Sequence, residues 1–370
     1  MCGRNKVKNT IGTNVTFTIF GESHGEYIGM VLDGISPGVK IDYDFINKQM
    51  AKRRPKSAYS TSRVEKDEYK IISGVFNGFT TGTPICALIP NSNVHSSDYE
   101  EMKTIARPSH ADYTANEKYH SYQDYRGGGH FSGRLTSAIV LGGAIAQMSL
   151  KKYDIKIATH IKNLHGIEDR DFAGGSDIEL LGSKEFPVLD DVAMEKMQNE
   201  ILSAKEKGDS VGGITETVIL GLGPGLGEPM FDSIESVLSH AIFSIPGIKG
   251  ISFGLGFDFA SKYGSEANDP FRIKDGKVVT ETNNNGGING GITNGMDVTF
   301  SCAVKPTPSI SKEQKTIDFD KKEDKNIQIK GRHDPAIIHR ICPVIDAMSA
   351  ICLCDILSSR YGDDYANLGK

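Results

Sequence analysis

Hydrophobic and polar residues alternate over Thr16-Phe17-Thr18-Ile19-Phe20 with a β-rich vocabulary, which predicts a strand running into Gly21-Glu22-Ser23-His24-Gly25. Residues 69–76, 84–89, 211–222 and 250–259 predict further strands, and another follows the Asn/Gly tract at 283–295 and ends at Lys305. Helical spacing takes over at 44–52 and again at 191–207, where Met194, Met197, Ile201 and Ala204 share a face and Gly208 is the stop. The clearest helix is 132–151, whose apolar face around Leu135, Ile139 and Leu141-Gly142-Gly143-Ala144-Ile145 predicts close packing. Residues 231–243 and 343–357 predict two more helices, 318–330 a charged hairpin, and 166–190 an acidic loop. Strands and helices are interspersed without the regular alternation of a doubly wound sheet, so the expected class is α+β with large sheets.

A chain of 370 residues, 38% hydrophobic and 24% charged, is long enough for a substantial core. A net charge of −5 gives no sign of a general nucleic-acid or membrane-surface binder. The polar, basic start and the lack of any run of about 18 apolar residues predict neither a signal peptide nor a membrane span. The six cysteines follow no metal or disulfide spacing and are expected as reduced thiols, in keeping with a cytoplasmic location. The 41 glycines are more telling, because they cluster, as a chain does where it turns sharply or approaches a ligand closely.

Several segments could carry chemistry. Gly21-Glu22-Ser23-His24-Gly25 fits the G-x-S-x-G nucleophile elbow, but only one strand precedes it and no oxyanion loop lies upstream. The turn GLGPGLG at 221–227 has neither the dinucleotide nor the P-loop spacing, so a tight structural turn is expected there. His24, His110 (in RPSHAD) and His333 (in GRHDP) sit at turns where an imidazole can face a cleft and move protons near neutral pH. Arg53, Arg54, Lys56, Arg63, Arg107, Arg126, Arg134, Lys305 and Arg332 adjoin Gly-, Ser- or Pro-rich turns, a pattern suited to an anionic small molecule. The glycine tract 124–134 feeds a helix start, a sound phosphate cradle, and the Asn/Gly tract 283–295 offers donors and acceptors to a flat heterocycle.

Together, TFTIFGESHG, RPSHADYT at 107–114, DYRGGG…SGR at 124–134, GDSVGG at 208–213, GLGEPMFD at 225–232, GGINGGITNG at 286–295, KPTPSI at 305–310 and GRHDP at 331–335 resemble the chorismate synthase family, in the family's order and over nearly the whole chain. The resemblance implies one domain over 1–370, with its core at about 10–358 and a variable stretch at 166–206, folded as a β-α-β sandwich of antiparallel sheets and helices and assembled as a homotetramer. It implies loss of phosphate and a ring proton from 5-enolpyruvylshikimate 3-phosphate to give chorismate, the last step of the shikimate pathway. It also implies a requirement for reduced FMN without net redox change. It implies catalytic roles for His24, His110 and Asp334, and substrate contacts from Arg53, Arg54, Arg107 and Arg134. FMN contacts are implied for His130, Phe131, Ser132, Pro246, Gly247, Gly290, Lys305, Pro306, Thr307, Pro308, Ser309 and Arg332. His130-Phe131 stand where many members carry Arg-Ser, Asn284-Asn285 replace a frequent His-Ala, and Ala58 occupies the place of a second Arg. With no NADP-type fingerprint, an external flavin reductase is the expected source of reduced flavin, and a flavin-binding protein without lyase activity is the alternative.

Overall fold

The computed structural model describes residues 9–55, 59, 66–91, 103–329 and 333–367. Strands β1 (Thr10–Ile11), β2 (Thr16–Gly21), β3 (Tyr27–Asp33), β4 (Lys70–Ile71) and β5 (Ile85–Pro90) form one antiparallel sheet in the order β1-β2-β3-β5-β4. Alternation sends Phe17, Ile28, Met30, Leu32, Ile85, Ala87 and Ile89 to a single buried face. A second antiparallel sheet contains β6 (Lys156–Leu164), β7 (Ile167–Glu168), β8 (Gly213–Leu220), β9 (Ile248–Phe253) and β10 (Val298–Val304), ordered β9-β10-β8-β6-β7.

Between the sheets lie α1 (Tyr43–Arg53), α3 (Thr136–Leu150) and α7 (Ile338–Tyr361); α2 (Asp112–Tyr119), α4 (Gly175–Ser183), α5 (Asp191–Glu206) and α6 (Ile234–Ile242) complete the longer helices. α3 packs on β2, β3 and β5 of the first sheet, while α7 packs on β6 and β8 of the second and against α3. This is the β-α-β sandwich that the sequence resemblance implied. Gly143 sets the closeness of the α3–α7 contact, since a Cβ there would lie 2.2 Å from Ala347 Cβ. α7 is long and apolar enough to cross a membrane, but 89% of that apolar window is buried inside the protein, making it the core helix. Side-chain caps start three helices: Asp42 accepts Phe45 N–H, Asp190 accepts Ala193 N–H and Ser233 accepts Ser236 N–H, each contact worth about 1 kcal/mol.

Most predicted elements are present, with shifts that have local causes. The strand expected at 69–76 is split into Lys70–Ile71 and Val75–Phe76, with Gly74 at φ +79° in the turn between them. The helix expected from Ser132 begins at Thr136, because Ser132 caps a short 3-10 turn by accepting Arg134 N–H. Strand 250–259 is Ile248–Phe253 followed by a 3-10 turn at Gly256–Ser261. The acidic segment 166–190 is not only loop, since it contains α4. Charged residues 314–327 do form a two-stranded hairpin.

Candidate active site

β2 ends at Gly21, and the turn after it is stitched to the glycine tract. Ser23 N–H donates to the Gly129 carbonyl (3.1 Å), Gly25 N–H to Glu22 (3.1 Å), and Asn91 Nδ2 to the carbonyls of Glu22 and Gly25 (3.0 and 2.8 Å). His130 Nδ1 donates to the Gly21 carbonyl at 2.8 Å. Gly127 has φ +59°, and a Cβ there would lie 2.1 Å from His24 Cε1, so only glycine permits this contact.

Ser23 and His24 are 1% and 6% exposed. Ser23 Oγ lies 3.2 Å from the carbonyls of both Arg126 and Gly127, which can only accept, so the hydroxyl proton goes to them. Its lone pair then takes the Nδ1 proton of His24 at 3.0 Å, and the tautomer so fixed puts the basic lone pair on Nε2. This is the reverse of a serine nucleophile, whose histidine must accept the hydroxyl proton.

A buried carboxylate organises the arginines. Asp67 accepts Arg53 Nη1 at 3.0 Å and also Arg134 Nη1, with Arg54 Nε 3.8 Å away. Arg53, only 2% exposed, further donates to Thr136 Oγ1 (3.0 Å) and to the carbonyls of Gly133 (3.4 Å) and Arg134 (3.3 Å). Arg134 donates to Asn91 Oδ1 (3.0 Å) and the Pro90 carbonyl (3.2 Å). Two guanidiniums thus share the Asp67 carboxylate beside the cavity.

Arg107 forks onto Asp112 through Nε (2.8 Å) and Nη2 (2.7 Å). His110 Nδ1 donates to the Pro108 carbonyl at 3.1 Å, and burial together with Arg107 pushes this imidazole down to about 4, so it is neutral at pH 7. Lys305 Nζ donates to the Ser109 carbonyl at 2.9 Å. Asp334 is held by Arg340 Nη1 at 2.6 Å, whose Nε donates to the Arg53 carbonyl at 2.8 Å. His333 Nε2 donates to the Ile329 carbonyl (3.0 Å), which leaves Nδ1 to accept Ser309 Oγ (2.8 Å).

These groups surround one cavity of about 880 Å³. Its lining includes Arg53, Arg107, His110, His130, Phe131, Ser132, Arg134, Pro246, Gly247, Lys305, Thr307, Pro308, Ser309 and Asp334, with Ile139, Ile337, Ile341 and Val344 as an apolar wall. Four of the described site residues that the resemblance implied stand elsewhere, as do Arg126 and His333. His24 lies directly behind Gly127 of the lining; Arg54 opens onto a smaller neighbouring cavity. Pro306 is turned toward Gly212, where a Cβ would come within 2.8 Å of its Cδ. Gly290 sits in the turn of hairpin 288–293, which docks on α6 through Ile234 N–H to the Gly291 carbonyl at 3.0 Å. Arg332 lies outside the described residues, as do Lys56 and Arg63.

Sequence reasoning missed Asp67, Asn91 and Arg340. Asp67 lies in the charged run Lys66-Asp67-Glu68, which reads as a solvated surface, yet its side chain is fully buried. Arg340 carries a weak signal, an Arg five residues beyond the GRHDP turn.

An antiparallel double-sheet sandwich with a large cavity lined by arginines, histidines and glycine turns is the architecture of an enzyme that acts on a small molecule. The sequence matches the chorismate synthase family over residues 15–357. The chain is 48% identical over 350 residues to a chorismate synthase of Pyrococcus abyssi, covering 94% of this chain and 97% of that one. It is 44% identical over 349 residues to that of Thermococcus kodakarensis, covering 94% and 97% respectively. A crystal structure of a chorismate synthase superposes with a TM-score of 0.76 at 28% identity, covering 96% of this chain and 94% of that one. The chain belongs to the chorismate synthase family and is a carbon–oxygen lyase.

Proposed function

We propose that this chain converts 5-enolpyruvylshikimate 3-phosphate to chorismate, with reduced FMN as cofactor, as the last step of the shikimate pathway. The observation that carries the reading is the match to chorismate synthases along almost the whole chain. In the reaction the allylic C–O bond to phosphate breaks and the C6 proton leaves, giving chorismate and inorganic phosphate.

The residues present fit FMN. Thr307 Oγ1 is buried in the cavity lining with no hydrogen-bond partner among the described residues, and such an atom calls for a ligand acceptor or donor. Its neighbours Lys305 and Ser309 add a cation and a hydroxyl suited to a phosphate, and the apolar wall suits a flat ring. A cavity of about 880 Å³ is at the upper end of ordinary ligand sites, about 300–1,000 Å³, as two ligands side by side require. His130, Phe131, Ser132, Pro246 and Gly247 would hold FMN with the 305–309 run. When bound, reduced FMN supplies transient electron density with no net redox change.

The chain's own residues supply the proton traffic. Protonated His24 gives its Nε2 proton to the departing phosphate while Ser23 keeps Nδ1 oriented. Arg107 and Arg134, with Arg53 behind them, offset the charge of the substrate's phosphate and carboxylates. His110, neutral in the free protein, takes up a proton when an anion lies against it and so compensates that charge. Asp334, oriented by Arg340, accepts the ring proton.

The assembly we propose is a cytoplasmic homotetramer served by an external flavin reductase. FMN titrated into the purified chain should bind weakly alone and more tightly once the substrate is added, with inorganic phosphate released on reduction. A chain that binds FMN but releases no phosphate would be a flavin carrier instead. NADPH plus FMN without a reductase should give no turnover.

A further inference from the structure

On the far side of α1 and α7 from the active site lies a second cavity of about 330 Å³, next to a smaller one of about 140 Å³ that shares Lys48, Lys52, Gly182, Lys184, Glu185 and His339 with it. The two sites stand back to back. Lys52 faces the second cavity and Arg53 the first, and His339 and Arg340 are divided in the same way.

Two polar groups in this second space lack hydrogen bonds they could make with described residues. Asp346 is buried and receives Thr159 Oγ1 on Oδ1 at 2.6 Å, while Oδ2 has no such partner among the described residues. Lys52 Nζ has none either, although Asp346 is its strongest attracting charge. Burial pushes the Asp346 carboxyl up to about 7 and the Lys52 ammonium down, more than their attraction for each other restores. Leu150, Ile157 and Leu181 give the cavity an apolar side. A carboxylate oxygen and an ammonium that line the same cavity beside an apolar wall, neither held by a described residue, describe a ligand site.

We propose that this cavity binds a small carboxylate that has an apolar body and a hydrogen-bond donor, such as a hydroxybenzoate. Its carboxylate meets Lys52 and Lys48, its body lies on Leu150, Ile157 and Leu181, and its donor reaches Asp346 Oδ2.

The test is calorimetric titration of the full chain with 4-hydroxybenzoate and, separately, with benzoate, which lacks the donor. The expected result is saturable binding of 4-hydroxybenzoate at one site, weakened at least about 10-fold by Lys52→Met, with benzoate binding several-fold more weakly. Asp346→Asn should narrow the gap between the two probes. Because a buried-site variant can fail to fold, Gly182→Trp serves as the second probe. Gly182 has no atom within 4 Å of an added Cβ and no positive φ, so the indole can enter the shared mouth without backbone strain and should abolish binding. Absence of saturable binding, or binding unchanged in both Lys52→Met and Gly182→Trp, would overturn the proposal; the second result would place the probe in the other cavity.

Discussion

Ser23 accepts the Nδ1 proton of His24 at 3.0 Å while its own hydroxyl proton goes to the carbonyls of the glycine tract. The serine that the sequence advertised as a nucleophile is therefore a positioning residue for its neighbour. His24→Ala should lower kcat by about 10- to 10⁴-fold, the range of a general acid. Ser23→Ala removes the hydrogen bond that orients His24, along with those to the Arg126 and Gly127 carbonyls; the loss of the first, about 1 kcal/mol, should lower kcat about 5-fold and shift the pH–rate profile as the tautomer is released. Steady-state assays across pH separate the two roles.

Gly127 holds His24 by lacking a side chain. Gly127→Ala would place a methyl 2.1 Å from His24 Cε1 at a φ of +59°. The fold should survive, since the strain is local and of order 1–3 kcal/mol. Turnover should fall nearly as far as in His24→Ala. Circular dichroism and kcat measured on the same sample check both parts.

His110 titrates well below its ordinary 6.5, at about 4, chiefly because of burial and then Arg107. Between pH 6.5 and 4 the unfolded imidazole binds a proton that the native one does not, so this group removes stability as pH falls through that window and contributes no pH dependence above it. Thermal melts should show the decline in wild type and less of it in His110→Asn. An anion bound beside His110 raises its pKa, so ligand binding at pH 5.5 should take up protons, read from calorimetry in two buffers of different ionisation enthalpy.

Asp67 holds Arg53 and Arg134 together, so Asp67→Asn removes the carboxylate that two buried guanidiniums share. The expected loss is about 3–5 kcal/mol of unfolding free energy, the usual cost of removing one partner from a buried pair. Urea denaturation measures it.

Much of the fold was legible because burial imposes a period. The run Thr16–Phe20, the helix around Leu141–Ile145 and the face shared by Met197 and Ile201 each follow the periodicity of the side chains they bury. What escaped were elements whose environment overrode their local pattern. β3, YIGMVLD, is too evenly apolar to alternate, and β6, KIATHIKNL, hides His160 under the acidic segment. There burial opposes the charge on His160, yet Asp169 and Glu216, each 2.8 Å from a ring nitrogen, hold its pKa up. Asp169 also caps Leu189 and Asp190 N–H, so the acidic stretch that looked like loop is pinned to the sheet.

Within the candidate site, the motifs carried the residues that line the cavity, because glycine tracts and turn histidines are local features. The supporting shell was hidden. Asp67 and Arg340 reach the site from separate parts of the chain, and nothing in a single sequence records that Arg340 bridges Asp334 to the Arg53 backbone. Arg53 itself changed character, from a free cation for substrate to a buried strut with its donors engaged by protein atoms.

The central claim is tested most directly by anaerobic incubation of the purified chain with 5-enolpyruvylshikimate 3-phosphate and either dithionite-reduced or oxidised FMN, with chorismate and inorganic phosphate followed together. The account predicts equal amounts of both products with reduced FMN and neither with oxidised FMN. Substrate left intact with reduced FMN, or phosphate released without chorismate, would contradict it.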